Sequence, residues 1–201
     1  MNLRIDQQII SDWIPDGASV LDLGCGNGAL LNHLQQRRIT GYGLEIDNSK
    51  IADCIKAGIN VIQADLDEGL SQFADQSFDF VILSQTLQAL KQPDFLLREI
   101  VRVGKKGIIG FPNFGHWQCR FQLALGGRMP VSKTLPAAWY ETPNIHLCTI
   151  QDFERLCDSH HLDVLNHSIV NHEHKDSLGI RLLPNLFGQI AVYLVQQHKE
   201  P

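Results

Sequence analysis

A glycine-rich turn near the start of the chain carries the residues best suited to binding a small ligand. Val20 to Leu23 is a short apolar run interrupted by Asp22, and Gly24-Cys25-Gly26-Asn27-Gly28 follows it directly. This pattern predicts a strand that enters a helix through a tight turn, where glycines permit unusual dihedral angles and let the main chain touch a ligand. The start of the helix then offers free N–H groups and a partial positive charge. The turn therefore predicts a nucleotide-type site.

Two classes of ligand compete for such a turn. A dinucleotide needs the pattern G-x-G-x-x-G/A for its pyrophosphate, which Gly24, Gly26 and Ala29 match only loosely. S-adenosylmethionine (SAM) has no phosphate, and the ammonium group of its methionine portion can pair with a carboxylate. Asp22 stands just before the glycines, where it would repel a pyrophosphate and attract an ammonium. This acid favours SAM.

Further polar residues follow the next predicted strands. Glu45 ends the second strand, where it can accept hydrogen bonds from ribose hydroxyls of SAM or NAD alike. Asp65 ends the third and is placed for the adenine amino group, with the Leu66 N–H available to a ring nitrogen. The fourth strand leads into Ser84 and Gln85, which should border the transferred methyl group. Each acid alone also fits a structural role, such as a cap, and it is their order at successive strand ends that indicates SAM.

SAM or S-adenosylhomocysteine is therefore the expected cofactor. The residues expected to contact it are Asp22, Gly24, Cys25, Gly26, Asn27, Gly28, Glu45, Ile46, Asp65, Leu66, Ser84 and Gln85. No Asn/Asp-Pro-Pro-Tyr/Phe run and no Pro-Cys pair follows the fourth strand. Methylation of adenine or glutamine amino groups and attack through a cysteine on cytosine are therefore not indicated.

A group of histidines resembles a metal site at first sight. Its members are His160, His161, His167, His172 and His174. Their spacing matches no ordinary zinc pattern, and alternation along a strand would place them on two faces. We therefore expect no metal.

Charge and cysteine content narrow the possible partners and compartments. The net charge of −5 argues against nucleic acid, because proteins that track phosphates usually carry a basic excess. The five cysteines form no CxxC pair, which favours reduced thiols. We see neither a secretory signal profile nor an apolar run of about 18 residues, so we expect a cytoplasmic protein that does not enter a membrane.

The elements that must position these residues alternate along the chain as strands and amphipathic helices. Strands are expected at 19–23, 42–46, 61–64, 78–83, 106–111, 162–170 and 189–195. Helices are expected at 4–14, after the glycine turn, at 49–57, from Pro93 through Val103, and from Thr149 to about His160. The first helix should turn Ile5, Ile9, Trp13 and Ile14 inward.

This order predicts an α/β fold: a doubly wound, Rossmann-like sheet of seven mostly parallel strands, closed by an antiparallel edge hairpin. The last two strands should be joined by an insertion at 179–188 without a clear helix. We expect one domain over residues 1–201, with an insertion at about 112–148.

The insertion at about 112–148 is rich in glycine, proline and aromatic residues, and part of it near 118–125 could be helical. So long an irregular stretch is usually a lid or binding loop. Its aromatics include Trp117, Trp139 and Tyr140, which with Arg128 are residue types that anchor protein interfaces. Three interpretations stay open: a pinned structural loop, an interface and a substrate pocket.

Three motifs of this insertion resemble the MetW family of methionine biosynthesis. They are Phe111-Pro112-Asn113-Phe114-Gly115-His116-Trp117, Gly127-Arg128-Met129-Pro130, and the run from Trp139 to Thr149. The resemblance spans nearly the whole chain. It implies the class I SAM-dependent methyltransferase fold and a link to homoserine O-acyltransferase, the enzyme that acylates homoserine. It leaves open whether methyl transfer occurs.

Two functions remain. In the first, the chain is a SAM-binding, methyltransferase-like protein that acts with homoserine O-acyltransferase as partner or regulator. In the alternative, it is a SAM-dependent methyltransferase of an unidentified small molecule, for which positioning matters more than a strong nucleophile. An amine or carbon acceptor would need a base, and His116 and His146 are the candidates. A dehydrogenase is a distant third possibility.

Overall fold

The computed structural model describes residues 3–171 and 178–198. The strands are β1 (Ser19–Leu23), β2 (Thr40–Glu45), β3 (Val61–Gln63), β4 (Phe78–Ser84), β5 (Gly104–Pro112), β6 (Leu162–Val170) and β7 (Ile190–Gln197). They form one sheet in the order β3-β2-β1-β4-β5-β7-β6. The first five pair in parallel, whereas β7 is antiparallel to both β5 and β6. The predicted fold is confirmed.

Helices cover both faces of this sheet. They are α1 (Ile5–Trp13), α2 (Ala29–Gln35), α3 (Asn48–Lys56), α4 (Pro93–Val103), α5 (Trp117–Gly126), α6 (Ile150–Ser159), α7 (Leu178–Leu182) and α8 (Pro184–Phe187). Single 3₁₀ turns occur at Leu66–Glu68 and Leu87–Ala89. Thr149 caps α6 as predicted: its Oγ1 accepts from the Asp152 N–H, and the Asp152 carboxylate accepts from the Thr149 N–H.

Two apolar clusters form the core, one on each face. Alternation along β1 sends Leu21 and Leu23 to the cluster under α4 and α6, while Val20 faces the cluster under α1, α2 and α3. β1, β4 and β5 contribute to both clusters, as strands covered on two faces should. Their carboxyl ends consequently meet at one edge, where the glycine turn lies.

The observed strands begin and end within two residues of the expected bounds, and the main departure from the sequence expectations is the segment before β7. The four apolar residues expected on one face of the first helix all contact the same core cluster: Ile14, the C-cap of α1, is fully buried, and Ile5, Ile9 and Trp13 are partly buried against it. The segment before β7 contains α7 and α8 rather than lacking helix, since Pro184 suits the first position of a helix and α8 packs on α6. The helix expected near 118–125 is present as α5. Among the residues described, no helix combines the length and apolar character that a membrane span requires.

Candidate functional site

The glycine turn follows β1 at the carboxyl edge of the sheet. The N–H groups of Gly24 and Cys25 both donate to the Leu44 carbonyl of β2, at 2.8 and 3.0 Å, which holds the turn against the neighbouring strand. Gly24, Gly26 and Gly28 all have positive φ, a region that favours glycine. A Cβ added at Gly26 would meet no atom within 4 Å. The Gly26 backbone therefore faces open space that a ligand could use.

Glu45 ties the end of β2 to this turn. Its side chain is buried, and its Oε2 accepts a hydrogen bond of 2.9 Å from the Gly26 N–H. Its Oε1 accepts from the N–H groups of Ile46 and Asp47 at 2.9 and 3.0 Å. A carboxylate has about four lone-pair positions, so one position on Oε2 is left. Glu45 thus orders the turn and keeps one acceptor for a further donor.

Asp22 lies buried beneath the turn on the α1 side of the sheet. Burial raises the pKa of its carboxyl to about 7, with Arg4 lowering it and the nearby Asp6 and Glu45 raising it. Pairing with a cation would compensate the Asp22 carboxylate for its lost hydration.

A second polar group beside Asp22 joins α1 to the end of β4. The Asp6 carboxylate is fully buried and accepts from the Ser84 hydroxyl at 2.6 Å and from the Arg4 guanidinium at 3.0 and 3.1 Å. Arg4 also donates to Ser84 Oγ at 3.1 Å. Neither Arg4 nor Asp6 is among the residues expected from the sequence. The available signal was that Asp6 shares a helical face with Ile10 and Ile14, so an acid lies on the buried side of α1.

The remaining predicted cofactor residues surround the same edge. The Asp65 carboxylate caps the 3₁₀ turn after β3 by accepting from the Asp67 N–H at 3.0 Å. The buried Cys25 packs within the turn, its Sγ 4.0 Å from that of Cys54. Gln85 follows β4 with φ of +56°. The structure thus brings the glycine turn, Asp22 and Glu45 together, with Ser84 joined to the group through Asp6.

The two candidate bases have different surroundings. His116 is buried at the start of α5, where its Nδ1 accepts from the Gln118 N–H at 3.4 Å and burial lowers its pKa. His146 is exposed, with Nε2 3.4 Å from the Lys91 carbonyl oxygen. His116 therefore caps the start of α5, whereas His146 is exposed to solvent.

The described residues contain no group of three or more histidine, cysteine, aspartate or glutamate side chains placed to hold a metal. His172 and His174 lie outside the described residues.

Comparisons with known proteins place the chain among methionine-biosynthesis sequences. A family model described as "Methionine biosynthesis protein MetW" matches residues 4–195. The chain is 40% identical over 166 residues to the bifunctional methionine biosynthesis protein MetXA/MetW of Rhodopirellula baltica, covering 78% of this chain and 27% of that protein. It is 26% identical over 141 residues to a ubiquinone biosynthesis O-methyltransferase of Pseudomonas fluorescens, covering 65% and 61%.

Solved structures agree on the fold. An S-adenosylmethionine-dependent methyltransferase from Mesorhizobium loti matches with a TM-score of 0.70 at 16% identity, covering 94% of this chain and 96% of that one. A TehB-like SAM-dependent methyltransferase from Corynebacterium glutamicum matches with a TM-score of 0.65 at 16% identity, covering 98% and 89%.

Proposed function

The chain belongs to the MetW family of methionine biosynthesis proteins, and from this membership we propose that it binds SAM and acts with homoserine O-acyltransferase as its partner or regulator. The observation that carries the first half is the pairing of Asp22 and Glu45 around the glycine turn. One buried carboxylate suits the ligand's ammonium, and the other suits a ribose hydroxyl.

In the proposed pose, the methionine end of SAM lies between Asp22 and α1. The charge of Arg4 acts on Asp22, and its guanidinium suits the ligand's carboxylate. The ribose lies on Glu45, whose free position on Oε2 supports one direct hydrogen bond. A second ribose bond would require the Gly26 N–H to turn away from Oε2. The adenine lies toward Asp65 and Leu66 at the end of β3.

The proposed partnership rests first on the domain content of a relative. The Rhodopirellula baltica protein is named as bifunctional MetXA/MetW, and this chain spans 27% of its length. When two activities are fused in one chain, they work at high effective concentration. We infer that separate chains of this family associate with an acyltransferase and so reach a similarly high effective concentration.

An exposed apolar surface on the insertion supports the same partnership. Trp117, Phe121 and Leu125 follow one another at helical spacing along α5, and Phe121 and Leu125 are 60% and 72% exposed. Trp139 and Tyr140 add two further exposed rings. Contiguous apolar surface with aromatic anchors is typical of protein interfaces.

Regulation requires that SAM bind one state of the complex better than the other. A five- to 150-fold preference corresponds to about 1–3 kcal/mol. The insertion begins after β5 at the edge that carries the glycine turn, so an occupied crevice could reorder it. SAM is made from methionine, so its concentration reflects the output of the pathway. Such coupling would make the activity of an early enzyme depend on that output.

The test measures acyltransferase activity and co-purification with this chain, with and without SAM and S-adenosylhomocysteine. We expect association to weaken at least tenfold in Trp117→Ala, Phe121→Ala and Trp139→Ala. Ile55→Ala removes an exposed apolar side chain on α3 and should have no effect. Unchanged association in all three insertion variants would rule out this interface. A complex whose activity responds to neither ligand would rule out regulation.

A further inference from the structure

A cavity of about 510 Å³ lies between the end of β4 and the insertion. Its apolar walls come from Phe114, Met129, Leu135, Trp139, Ile145 and Leu147. Ala137 and three prolines of the insertion add further apolar surface, and the polar lining residues are Gln85, Gln88, Thr134, Thr142 and Asn144. Its size falls in the range of small-molecule pockets, roughly 300–1,000 Å³.

Gln88, one of the lining residues, has a buried side-chain oxygen that is an unused hydrogen-bond acceptor. The residue is only 7% exposed, and no described residue forms a hydrogen bond with its side-chain Oε1. Its main-chain carbonyl accepts from the N–H groups of Ile145 and His146 at 2.9 and 3.0 Å, which fixes it against the insertion. Buried polar atoms are nearly always paired, so an unpaired one calls for an explanation. The terminal amide torsion of glutamine is broad, so the oxygen can turn toward a donor in the cavity.

The backbone beneath the cavity is constrained rather than loose. Gln85 has φ of +56°, a sparsely populated region for a residue with a side chain, and its N–H donates to the Gly110 carbonyl at 2.7 Å. Such constrained residues cluster at ligand clamps. The next residue, Thr86, has its Oγ1 2.8 Å from the position that a Cβ on Gly24 would take. The segment that lines the cavity therefore also borders the glycine turn.

The lining restricts the chemistry of an occupant. None of the described side chains that line the cavity is charged, and most are apolar or aromatic. An ion placed there would lose its hydration without gaining a partner. We propose that this cavity binds an uncharged, mostly apolar small molecule that donates one hydrogen bond to the side-chain oxygen of Gln88. This goes beyond the proposed function, since it requires neither SAM nor the acyltransferase.

Titration calorimetry on the full chain without SAM tests this with two matched probes. Indole is an uncharged apolar molecule with one N–H donor, and N-methylindole has the same ring without the donor. We expect indole to bind about tenfold more tightly. Gln88→Met should abolish this preference, because it keeps the side-chain length and the main-chain bonds but removes the acceptor. Gln118→Met makes the same exchange on α5, away from the cavity lining, and should preserve it.

Two further measurements locate the binding. Ala137→Trp fills the cavity and should weaken both probes, which keeps the test decisive if Gln88→Met fails to fold. Indole-3-carboxylate should bind more weakly than indole because of its charge. The proposal is overturned if the native chain binds neither probe, shows no preference or prefers N-methylindole. It is also overturned if the preference survives in Gln88→Met or if a folded Ala137→Trp binds both probes normally.

Discussion

Replacing Asp22 with asparagine should separate SAM binding from the stability of the fold. Burial holds the pKa of Asp22 at about 7. Above that pH the folded chain carries a charged carboxylate in its interior, which is unfavourable until a cation joins it. Asparagine has nearly the same shape and cannot ionise. The substitution therefore removes both the unfavourable free energy of a charge in the interior and the carboxylate that would pair with the ligand's ammonium.

The stability effect has a definite sign. In the unfolded chain the carboxyl has its ordinary pKa of 3.8, so the folded chain holds the proton more tightly. The free energy of unfolding should therefore fall as pH rises from about 4 to about 7, then level off. The difference between these pKa values corresponds to about 4 kcal/mol. Asp22→Asn should be more stable than the native chain above pH 7, with that figure as the upper bound.

The binding effect runs the other way. SAM affinity of the native chain should fall about tenfold for each pH unit below 7, as Asp22 becomes protonated. Asp22→Asn should bind SAM at least tenfold more weakly near pH 7.5 and show little pH dependence. Methylthioadenosine has the adenosine and sulfur of SAM without its amino-acid group. Its affinity should be almost unaffected by the substitution and by pH.

Urea unfolding at about pH 5 and about pH 8, with calorimetric titration of both ligands between about pH 5.5 and 7.5, measures these effects. The range stays below the pKa of an α-amino group, about 7.7–8.0, so that the ligand remains charged. The reasoning fails if Asp22→Asn binds SAM as tightly as the native chain. It also fails if Asp22→Asn is less stable than the native chain at the higher pH.

Three other substitutions, one of them with a matched control, have defined outcomes. Glu45→Ala should weaken SAM binding more than tenfold by calorimetry, because it removes both a hydrogen bond to the ribose and the acceptor that orders the glycine turn. Unchanged SAM affinity would show that Glu45 does not hold the ribose. Gly26→Ala should abolish SAM binding because the added Cβ fills the open space. Gly17 also has positive φ and no atom near an added Cβ, so Gly17→Ala should affect only stability, and equal SAM affinity in the two variants would refute the role of Gly26. Thr149→Ala should lower the free energy of unfolding by about 1 kcal/mol in urea titration, and no change would show that the cap of α6 is dispensable.

Local patterns were enough to predict the framework of the fold. The run around Asp22 has an apolar strand, glycines and a helical periodicity within a short window, and β1 begins and ends where expected. Glu45 could be placed at the end of β2 for the same reason. The parallel order then follows from the alternation of strands and helices.

Details that depend on distant contacts could not be predicted. The bond between Asp6 and Ser84 joins residues 78 positions apart, and it exists only because α1 packs over the end of β4. The three hydrogen bonds that Glu45 accepts come from the glycine turn and from the turn after β2, so they depend on the conformation of both turns. The irregular sequence of the insertion likewise does not reveal that His116 is buried.

The most direct test of the account is a calorimetric titration of the full chain with SAM, S-adenosylhomocysteine and NAD. All three ligands carry the ribose that Glu45 would hold, but only the first two carry the ammonium that Asp22 would pair with, and NAD brings a pyrophosphate that Asp22 would repel. The account predicts saturable binding of SAM and S-adenosylhomocysteine, at least tenfold tighter than any binding of NAD. Preferential binding of NAD, or no binding of either adenosyl ligand, would contradict it.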